Sequence, residues 1–332
     1  MQKNFAIIGC GRISNRHAEQ ISRLGNVKAV CDSIPAKANI LADRFNATPY
    51  FNLDDLLSSE KNIDVVSICT PNGLHAQQAV KALNANIHVL CEKPLCINVN
   101  EGKEMIAAAE RSGKKLFVVK QNRYNPPVVF LKELIDKNKL GKIYSFQVNC
   151  FWNRPPEYYS DWKGSKAFDG GTLFTQFSHF IDLIYWLLGD VERVKTISRN
   201  FAHPSIEFED TGMVLFEMIN GAIGSMNYTV NSYDKNMEGS FSLFAEKGSI
   251  KIGGEYLNEL EYFRVAGMER PILSNGNTAN SYGFYQGSMS NHDKVYEDLI
   301  KALDDPSNMI ASAAEGLKTV DIIERIYNYG GS

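Results

Sequence analysis

The residues best suited to chemistry are an acid, a lysine and a proline in succession, Glu92-Lys93-Pro94, after the apolar run of residues 87–90. That run predicts a buried parallel strand, and polar groups at the carboxyl end of such a strand face the ligand crevice of an α/β sheet. Burial and a nearby positive charge favour the neutral form of a lysine, so Lys93 could exchange a proton with a hydroxyl group. The alternative is a surface ion pair of little consequence, but the proline-fixed backbone favours a functional lysine.

A glycine-containing turn near the start of the chain indicates a dinucleotide site. Gly9-Cys10-Gly11 follows the apolar run of residues 5–8 and precedes a helical pattern, although Ser14 replaces the third glycine of the usual fingerprint. The N–H groups at a helix N-terminus suit a pyrophosphate. The next predicted strand ends at Asp32, whose carboxylate would bind ribose hydroxyls and repel a 2′-phosphate. The pattern therefore predicts NAD rather than NADP, with an ordinary strand–turn–helix as the alternative.

A third segment, Thr70-Pro71-Asn72, leaves another predicted strand and leads to His75 at a helix start. Because polar groups at this edge face the crevice, Thr70 and Asn72 could hold the ribose and the amide side of the cofactor. A proline-directed turn with no ligand is equally compatible with these residues.

The order of strand and helix patterns along the chain predicts an α/β protein with two domains, which position these groups. Residues 1–120 alternate strand and helix patterns, which predicts a Rossmann domain with a parallel sheet. From residue 143 a run of strands, interrupted by one apolar helix at 173–188, predicts an open and mostly antiparallel sheet. We assign residues 121–332 to this second domain, whose C-terminal helix could pack back on the first. Residues 271–290 are predicted to form a long loop.

Composition narrows the class of protein. The 332 residues carry a net charge of −3 and no run of one sign, so no basic footprint indicates nucleic acid. The longest apolar stretches have the length of strands, not of membrane spans. The six cysteines lack zinc-ligand spacing, which predicts reduced thiols and no metal. With a first strand so close to Met1, we expect a cytoplasmic protein without a signal peptide, acting on a small molecule.

Taken together, Gly9-x-Gly11-Arg12-Ile13, Thr70-Pro71-Asn72-x-x-His75 and Glu92-Lys93-Pro94 resemble the Gfo/Idh/MocA family of sugar and cyclitol dehydrogenases. Gly141-Lys142-Ile143 and Asp169-Gly170-Gly171 through His179 continue the resemblance over nearly the whole chain. It implies hydride transfer between nicotinamide and a sugar carbinol, with Lys93 as the catalytic centre and His179 binding or relaying. It also implies a homo-oligomer, a dimer or tetramer, built through the open sheet.

The resemblance further implies the site residues. Cofactor contacts are expected from Gly9, Gly11, Arg12, Ile13, Asp32, Thr70, Asn72, His75, Glu92, Lys93, Asn122, Trp162 and Lys163. Substrate contacts are expected from Lys93, Arg123, Tyr124, Arg154, Tyr158, Tyr159, Thr175, Gln176, His179 and His292. For the arginines and tyrosines, a solvated surface is the alternative to a binding role. The aromatic residues of the segment 280–288, among them Phe284 and Tyr285, could stack on a base or anchor the loop.

Two segments, residues 120–126 and 151–164, resemble the UDP-N-acetylglucosaminuronate 3-dehydrogenases of bacterial surface-polysaccharide (lipopolysaccharide) synthesis. That branch oxidises the C3 hydroxyl of a UDP-linked aminouronate, an anion that calls for arginine, lysine and tyrosine donors. Two positions depart from the family pattern, because Thr175 replaces an aspartate and Lys163 an arginine. Threonine cannot act as a carboxylate base. Alternatives within and outside the class are a dehydrogenase of a free or phosphorylated sugar or inositol, and a non-catalytic NAD-binding regulator.

Overall fold

The computed structural model describes residues 2–281, 283, 285–305 and 311–330. Within these residues the chain divides into two compact units. Unit 1 takes residues 2–119, 167–170 and 292–320, and unit 2 takes residues 120–166, 171–291 and 321–330. Two stretches that the sequence had assigned to the second domain, residues 167–170 and 292–320, thus cluster with the first.

Unit 1 contains a parallel sheet of six strands in the order β3-β2-β1-β4-β5-β6, which is the strand order of a Rossmann domain. Its strands are β1 (Lys3–Ile8), β2 (Gly25–Cys31), β3 (Thr48–Tyr50), β4 (Val65–Ile68), β5 (His88–Cys91) and β6 (Leu116–Val118). Its helices are α1 (Ser14–Leu24), α2 (Pro35–Phe45), α3 (Leu53–Ser59), α4 (His75–Asn84), α5 (Val99–Ser112) and, later in the chain, α8 (His292–Asp304). The predicted parallel sheet is confirmed.

Local sequence explains where these elements begin and end. The central strands are apolar and buried on both faces, as parallel strands covered by helices must be. Helix α5 is capped at both ends. The Asn98 side chain accepts hydrogen bonds from the N–H groups of Asn100 and Glu101, and Gly113 terminates the helix with a left-handed φ of 65°. Helix α2 starts with Pro35 in its first turn.

Unit 2 is built on a seven-stranded sheet in the order β13-β12-β11-β7-β10-β9-β8. Its strands are β7 (Ile143–Phe151), β8 (Val191–Arg199), β9 (Thr211–Met218), β10 (Ile223–Thr229), β11 (Glu238–Ala245), β12 (Gly248–Gly253) and β13 (Glu259–Val265). Every neighbouring pair is antiparallel except β7 with β10. The predicted mostly antiparallel sheet is therefore confirmed, and the α/β class with it.

The remaining elements complete unit 2. They are α6 (Pro126–Asp136), α7 (Ser178–Leu188) and the two-stranded ribbon of β14 (Ala279–Ser281) and β15 (Gln286–Met289). Helix α9 (Ala313–Gly330) begins among the residues of unit 1 and ends among those of unit 2. None of the helices in the described part of the chain has the length and apolarity needed to cross a membrane.

Three predictions need correction at the level of elements. The segment 271–290 is not wholly a loop, because it holds the ribbon of β14 and β15. The helix predicted over 173–188 begins with a π-helical turn, Leu173–Phe177, before α7. The short strand β3 and helices α3 and α6 were not predicted, since their apolar patterns are short or begin in proline-rich sequence.

Candidate active site

The glycine turn between β1 and α1 has the space that a cofactor backbone needs. Gly9 has a φ of 89°, and a Cβ there would lie 2.7 Å from the backbone of Cys69, so only glycine fits. At Gly11 a Cβ would meet no atom within 4 Å, so the turn is open on that side. Ser14, at the third fingerprint position, is fully buried and donates a hydrogen bond of 2.5 Å to the carbonyl of Gly11. The Ser14 side chain therefore stabilises the turn by a buried hydrogen bond and does not occupy the open space next to Gly11.

Asp32 lies beside this turn at the carboxyl end of β2. Its carboxylate accepts hydrogen bonds of 2.8 Å from the N–H groups of Cys10 and Ile34. The structure thus brings Asp32 to the glycine turn, as the ribose-binding role requires. Arg12 and Ile13 belong to the same turn, and the Arg12 side chain is exposed.

The segment after β4 is held by residues 167–170. The Asn72 side chain donates to the carbonyl of Asp169 at 2.8 Å, and the Gly73 N–H donates to the carbonyl of Phe168 at 3.0 Å. The Thr70 hydroxyl donates to Gln78 Oε1 at 2.6 Å. These bonds fix the segment, while its contact with the cofactor stays a prediction.

His75 braces two turns of the site. Its Nδ1 lies 2.8 Å from the carbonyl oxygen of Pro94 and its Nε2 lies 3.0 Å from that of Thr70. The ring is 1% exposed, and this burial lowers the pKa of His75. Because both nitrogens face backbone carbonyls, the side chain supports the Lys93–Pro94 turn, and a direct cofactor contact stays a prediction.

Glu92 and Lys93 follow β5 and differ in environment. The Glu92 carboxylate is buried, with Oε1 at 2.8 Å from His17 Nε2 and 3.2 Å from His292 Nε2, and Oε2 accepts the Lys93 N–H at 3.0 Å. Burial raises the pKa of Glu92, but the hydrogen bonds from the two histidines outweigh it and hold the pKa well below its usual value. The Lys93 side chain is half-buried, and its peptide bond to Pro94 is cis.

His292 was predicted to bind substrate, but its imidazole Nε2 faces Glu92 within unit 1 and its side chain is 1% exposed. His17 was not predicted as a site residue. No local pattern could have found it, because its contact with Glu92 spans 75 positions.

His17, Glu92 and His292 each offer an atom that could bind a metal ion, and these three atoms lie within 4.8 Å of one another. The Glu92–His17 and Glu92–His292 distances of 2.8 and 3.2 Å are those of hydrogen bonds.

In unit 2, His179 lies in the first turn of α7, and its ring lies next to the side-chain amide of Gln121. Its Nε2 is 3.3 Å from Gln121 Nε2, which also donates to Ser288 Oγ at 3.0 Å. Among the described residues, Gln121 Oε1 and both amide atoms of Asn122 are buried without a hydrogen-bond partner. Since buried amides are nearly always paired, these atoms are available to a ligand. Asn122 was predicted to bind the cofactor and Gln121 was not.

The guanidinium of Arg154 is the most unusual charge in unit 2. The residue is 2% exposed, and its Nε donates to Gln176 Oε1 at 2.7 Å while Nη1 donates to Asn236 Oδ1 at 3.2 Å. No carboxylate in the described part of the chain forms an ion pair with it. Burial lowers the pKa of Arg154, as expected for a cation that lacks a counter-charge.

Aromatic rings surround this guanidinium. Its carbon lies 5.0, 5.4 and 5.2 Å from the ring centroids of Trp152, Tyr158 and Tyr285. The Tyr158 ring packs edge-on against Tyr285, and its hydroxyl accepts a hydrogen bond of 2.7 Å from Gln176 Nε2. Tyr159 packs against Tyr158, while Phe284 lies outside the described residues. The predicted residues Arg154, Tyr158, Tyr159 and Gln176 therefore form one cluster, which we call the Arg154 cage.

The other predicted cations of unit 2 each have an acidic partner. Arg123 is 2% exposed and donates from Nε and Nη2 to the two oxygens of Asp182, both at 2.8 Å. Lys120 also pairs with Asp182 at 2.9 Å. Lys163 lies 3.0 Å from an oxygen of Asp161 and 4.6 Å from the Trp162 ring centroid. Tyr124 and Thr175 are both half-buried, and substrate binding by these residues stays a prediction.

Comparison with known proteins agrees with these features. Residues 3–120 match the model of an oxidoreductase family with an NAD-binding Rossmann fold, and residues 128–251 match the GFO/IDH/MocA C-terminal domain. The fold superposes on the WlbA dehydrogenase from Bordetella pertussis, solved with NADH and UDP-GlcNAcA, with a TM-score of 0.90 and 33% identity over 100% of this chain and 97% of that one.

Two curated relatives act on other alcohols. Levoglucosan dehydrogenase from Pseudarthrobacter phenanthrenivorans is 27% identical over 70% of this chain and 66% of its own length. Inositol 2-dehydrogenase from Salmonella paratyphi B is 30% identical over 67% of this chain and 65% of its own length. The chain thus spans a little under two thirds of either relative.

Proposed function

The chain belongs to the GFO/IDH/MocA oxidoreductase family, and on that premise we propose that it is an NAD-dependent dehydrogenase of a UDP-linked N-acetyl-aminouronate. The reaction is oxidation of the C3 hydroxyl to a 3-keto sugar, a precursor for surface-polysaccharide synthesis. The single observation that carries the choice of substrate is the buried Arg154, which has no acidic partner among the described residues.

The residues around the glycine turn fit NAD. The open side of Gly11 leaves room for a pyrophosphate above the N-terminus of α1, and Asp32 supplies acceptors for ribose hydroxyls. When bound, the nicotinamide accepts the hydride of the carbinol carbon. The protein has to hold the alcohol in place and remove its proton.

Lys93 is the residue that we assign to that proton. Its amine, half-buried at the end of β5, takes the hydroxyl proton as the carbinol becomes a ketone. Glu92 and His75 hold the backbone of its turn, so the Cα from which the Lys93 side chain extends is held in place. His179 binds the sugar, and Thr175, which cannot serve as a base, contributes at most a hydroxyl contact.

The Arg154 cage supports an anionic substrate. An arginine removed from water without a counter-charge is costly, unless a bound anion completes the pair. A uronate carboxylate has the planar shape that a guanidinium recognises, and the surrounding rings suit the sugar face. Inositol and levoglucosan carry no charge and would leave Arg154 uncompensated.

Thermal shift with matched ligands tests this proposal. In the presence of NAD⁺, UDP-GlcNAcA should raise the melting temperature, while UDP-GlcNAc, in which a neutral hydroxymethyl group replaces the carboxylate, should raise it far less. Arg154→Met should weaken UDP-GlcNAcA binding by about tenfold or more, because a charge-assisted hydrogen bond is lost, and leave UDP-GlcNAc unaffected. Arg23→Met, on the exposed end of α1, is the control. A larger shift with inositol than with either nucleotide sugar would favour the inositol dehydrogenase alternative.

A further inference from the structure

Behind the Lys93 turn lies a continuous row of buried hydrogen bonds within unit 1. The hydroxyls of Ser67 and Tyr296 are 2.8 Å apart, and the Tyr296 hydroxyl is 2.8 Å from His17 Nδ1. His17 Nε2 then meets Glu92, which also contacts His292 and the backbone of Lys93. The five residues of this row are all buried, each at most 6% exposed as a whole residue: Ser67, Tyr296, His17, Glu92 and His292. The row connects residues from α1, β4 and α8 to the carboxylate of Glu92, which directly follows β5.

The protons of this row have one consistent assignment. Burial lowers the pKa of His17, which favours its neutral form, so a single nitrogen carries hydrogen. That nitrogen is Nε2, because it faces the carboxylate, and Nδ1 accepts from Tyr296. His292 Nε2 donates to the same carboxylate, and its Nδ1 is buried with no partner in the described part of the chain. The row thus converges on the carboxylate of Glu92.

Both oxygens of Glu92 are engaged inside the protein. Oε1 receives the two histidines and Oε2 receives the Lys93 N–H, and the residue is 6% exposed. A carboxylate in this state has little capacity left for the ribose of a cofactor, which is the role that family resemblance implies. The Glu92 carboxylate is placed instead to hold the backbone of the Lys93 turn.

We propose that Glu92 is a positioning residue for Lys93, holding the backbone of the turn from behind and supplying a buried negative charge that favours the protonated amine. The proposal rests on the role given to Lys93 under the proposed function. His17 and His292 keep Glu92 ionised, and Tyr296 and Ser67 orient His17. The charge of Glu92 would make the neutral Lys93 amine a stronger base for the alcohol proton, against the opposing effect of the cationic ring of a bound cofactor.

Other titratable groups surround the same carboxylate. They are His17 from α1, His292 and Tyr296 from α8, Cys69 after β4, Cys91 at the end of β5, and His75 at the start of α4. Burial raises the pKa values of both thiols and of Tyr296, so these groups stay neutral near pH 7. His75 experiences the charges of both Glu92 and Lys93, which indicates that the two charges act on one region.

The test measures Lys93 directly and needs no substrate. The folded protein, without cofactor, is trace-labelled with acetic anhydride across a pH series, and acetylation of the Lys93 peptide is quantified by mass spectrometry. In Glu92→Gln the midpoint of Lys93 reactivity should fall by about half a pH unit or more, because the neighbouring anion is gone. NADH affinity, measured by fluorescence titration, should stay within about threefold of wild type, a change of less than 0.7 kcal/mol.

Tyr296→Phe is the matched structural control. It removes two buried hydrogen bonds but leaves the carboxylate and its contact with Lys93, so the melting temperature should fall while the Lys93 midpoint stays unchanged. Should Glu92→Gln fail to fold, His292→Leu and His292→Gln serve instead. The leucine removes a donor that partly offsets the charge of Glu92 and should raise the midpoint, whereas the amide of glutamine retains a donor and should leave the midpoint near that of wild type.

Two results would overturn the inference. One is an unchanged Lys93 midpoint in Glu92→Gln, and the other is an NADH affinity lowered tenfold in that variant, which would make Glu92 a cofactor ligand. Neither result bears on whether the enzyme oxidises an aminouronate, so the proposed function fails or stands by its own experiments.

Discussion

At the scale of single residues, the site depends on which charges are compensated inside the protein. Arg123 and Arg154 look alike in sequence, since both follow a strand and both precede tyrosines. The structure separates them, because Asp182 pairs with Arg123, whereas the partners of Arg154 among the described residues are amide and carbonyl oxygens and aromatic rings. The sequence could not distinguish the two, since Asp182 is 59 positions from Arg123.

Asp32 should decide the choice of cofactor. Its carboxylate lies beside the glycine turn and would repel a 2′-phosphate, so NAD should bind at least about tenfold more tightly than NADP, or ~1.4 kcal/mol. Asp32→Ala should narrow that gap. Titration of both variants with NADH and NADPH by fluorescence measures it, and equal affinity of the wild type for the two would refute the assignment.

Lys93 should carry chemistry rather than stability. Lys93→Met keeps the length of the side chain without its proton acceptor, so we expect NADH binding and melting temperature to be retained. Turnover should fall by about 10²-fold or more. Thr175→Ala is the comparison, with a much smaller loss expected since threonine is not a base. Near-normal turnover in Lys93→Met together with loss in Thr175→Ala would reverse these roles.

At the scale of elements, the parts of the fold with local signals were predictable and the parts made by distant contacts were not. Strands β1, β4 and β5 of unit 1 follow from their apolar runs, and the glycine turn follows from its spacing. The π-helical turn at Leu173–Phe177 has no distinct pattern, because its residues are as apolar as those of the helix that follows. The clustering of residues 167–170 with unit 1 depends on contacts with Asn72 and Gly73, almost a hundred positions away.

Two glycines should respond oppositely to the same substitution. At Gly73 a Cβ would overlap the carbonyl oxygen of Ala167, so Gly73→Ala must displace the segment 167–170. We expect a loss of about 1–3 kcal/mol in the free energy of unfolding.

Gly11→Ala is its counterpart, because the added methyl meets no protein atom and occupies the open side of the turn. It should keep the melting temperature and weaken NADH binding. Calorimetry and NADH titration measure both variants. A stable Gly73→Ala, or a Gly11→Ala that binds NADH normally, would contradict the respective argument.

At the scale of the whole molecule, the open face of the unit 2 sheet bears on assembly. Ile197, Met213, Leu215 and Ile223 on β8, β9 and β10 are 58–70% exposed, and Ile197 pairs with Met213 across neighbouring strands. Apolar side chains in such a cluster mark an interaction surface. We propose that a second copy of the chain covers it, as symmetric oligomers commonly do.

Light scattering after size exclusion tests that assembly. Wild type should elute as a dimer or a larger even-numbered oligomer, and Leu215→Lys should shift it toward the monomer by placing charge in the interface. Ile40→Lys is the control, because Ile40 is equally exposed, at 71%, but belongs to α2 of unit 1 and not to this sheet. A wild type that is monomeric at micromolar concentration would contradict the proposal.

Isotope transfer tests most directly the central claim, that the enzyme removes a hydride from C3 of an anionic UDP-sugar. UDP-GlcNAcA carrying deuterium at C3 is incubated with the enzyme and NAD⁺, and the nicotinamide product is analysed by mass spectrometry. The account predicts deuterated NADH from this substrate, no deuterated product from Lys93→Met on the same timescale, and a strongly reduced yield from Arg154→Met. Unlabelled NADH from the wild type, or reduction of NAD⁺ by inositol but not by UDP-GlcNAcA, would contradict it.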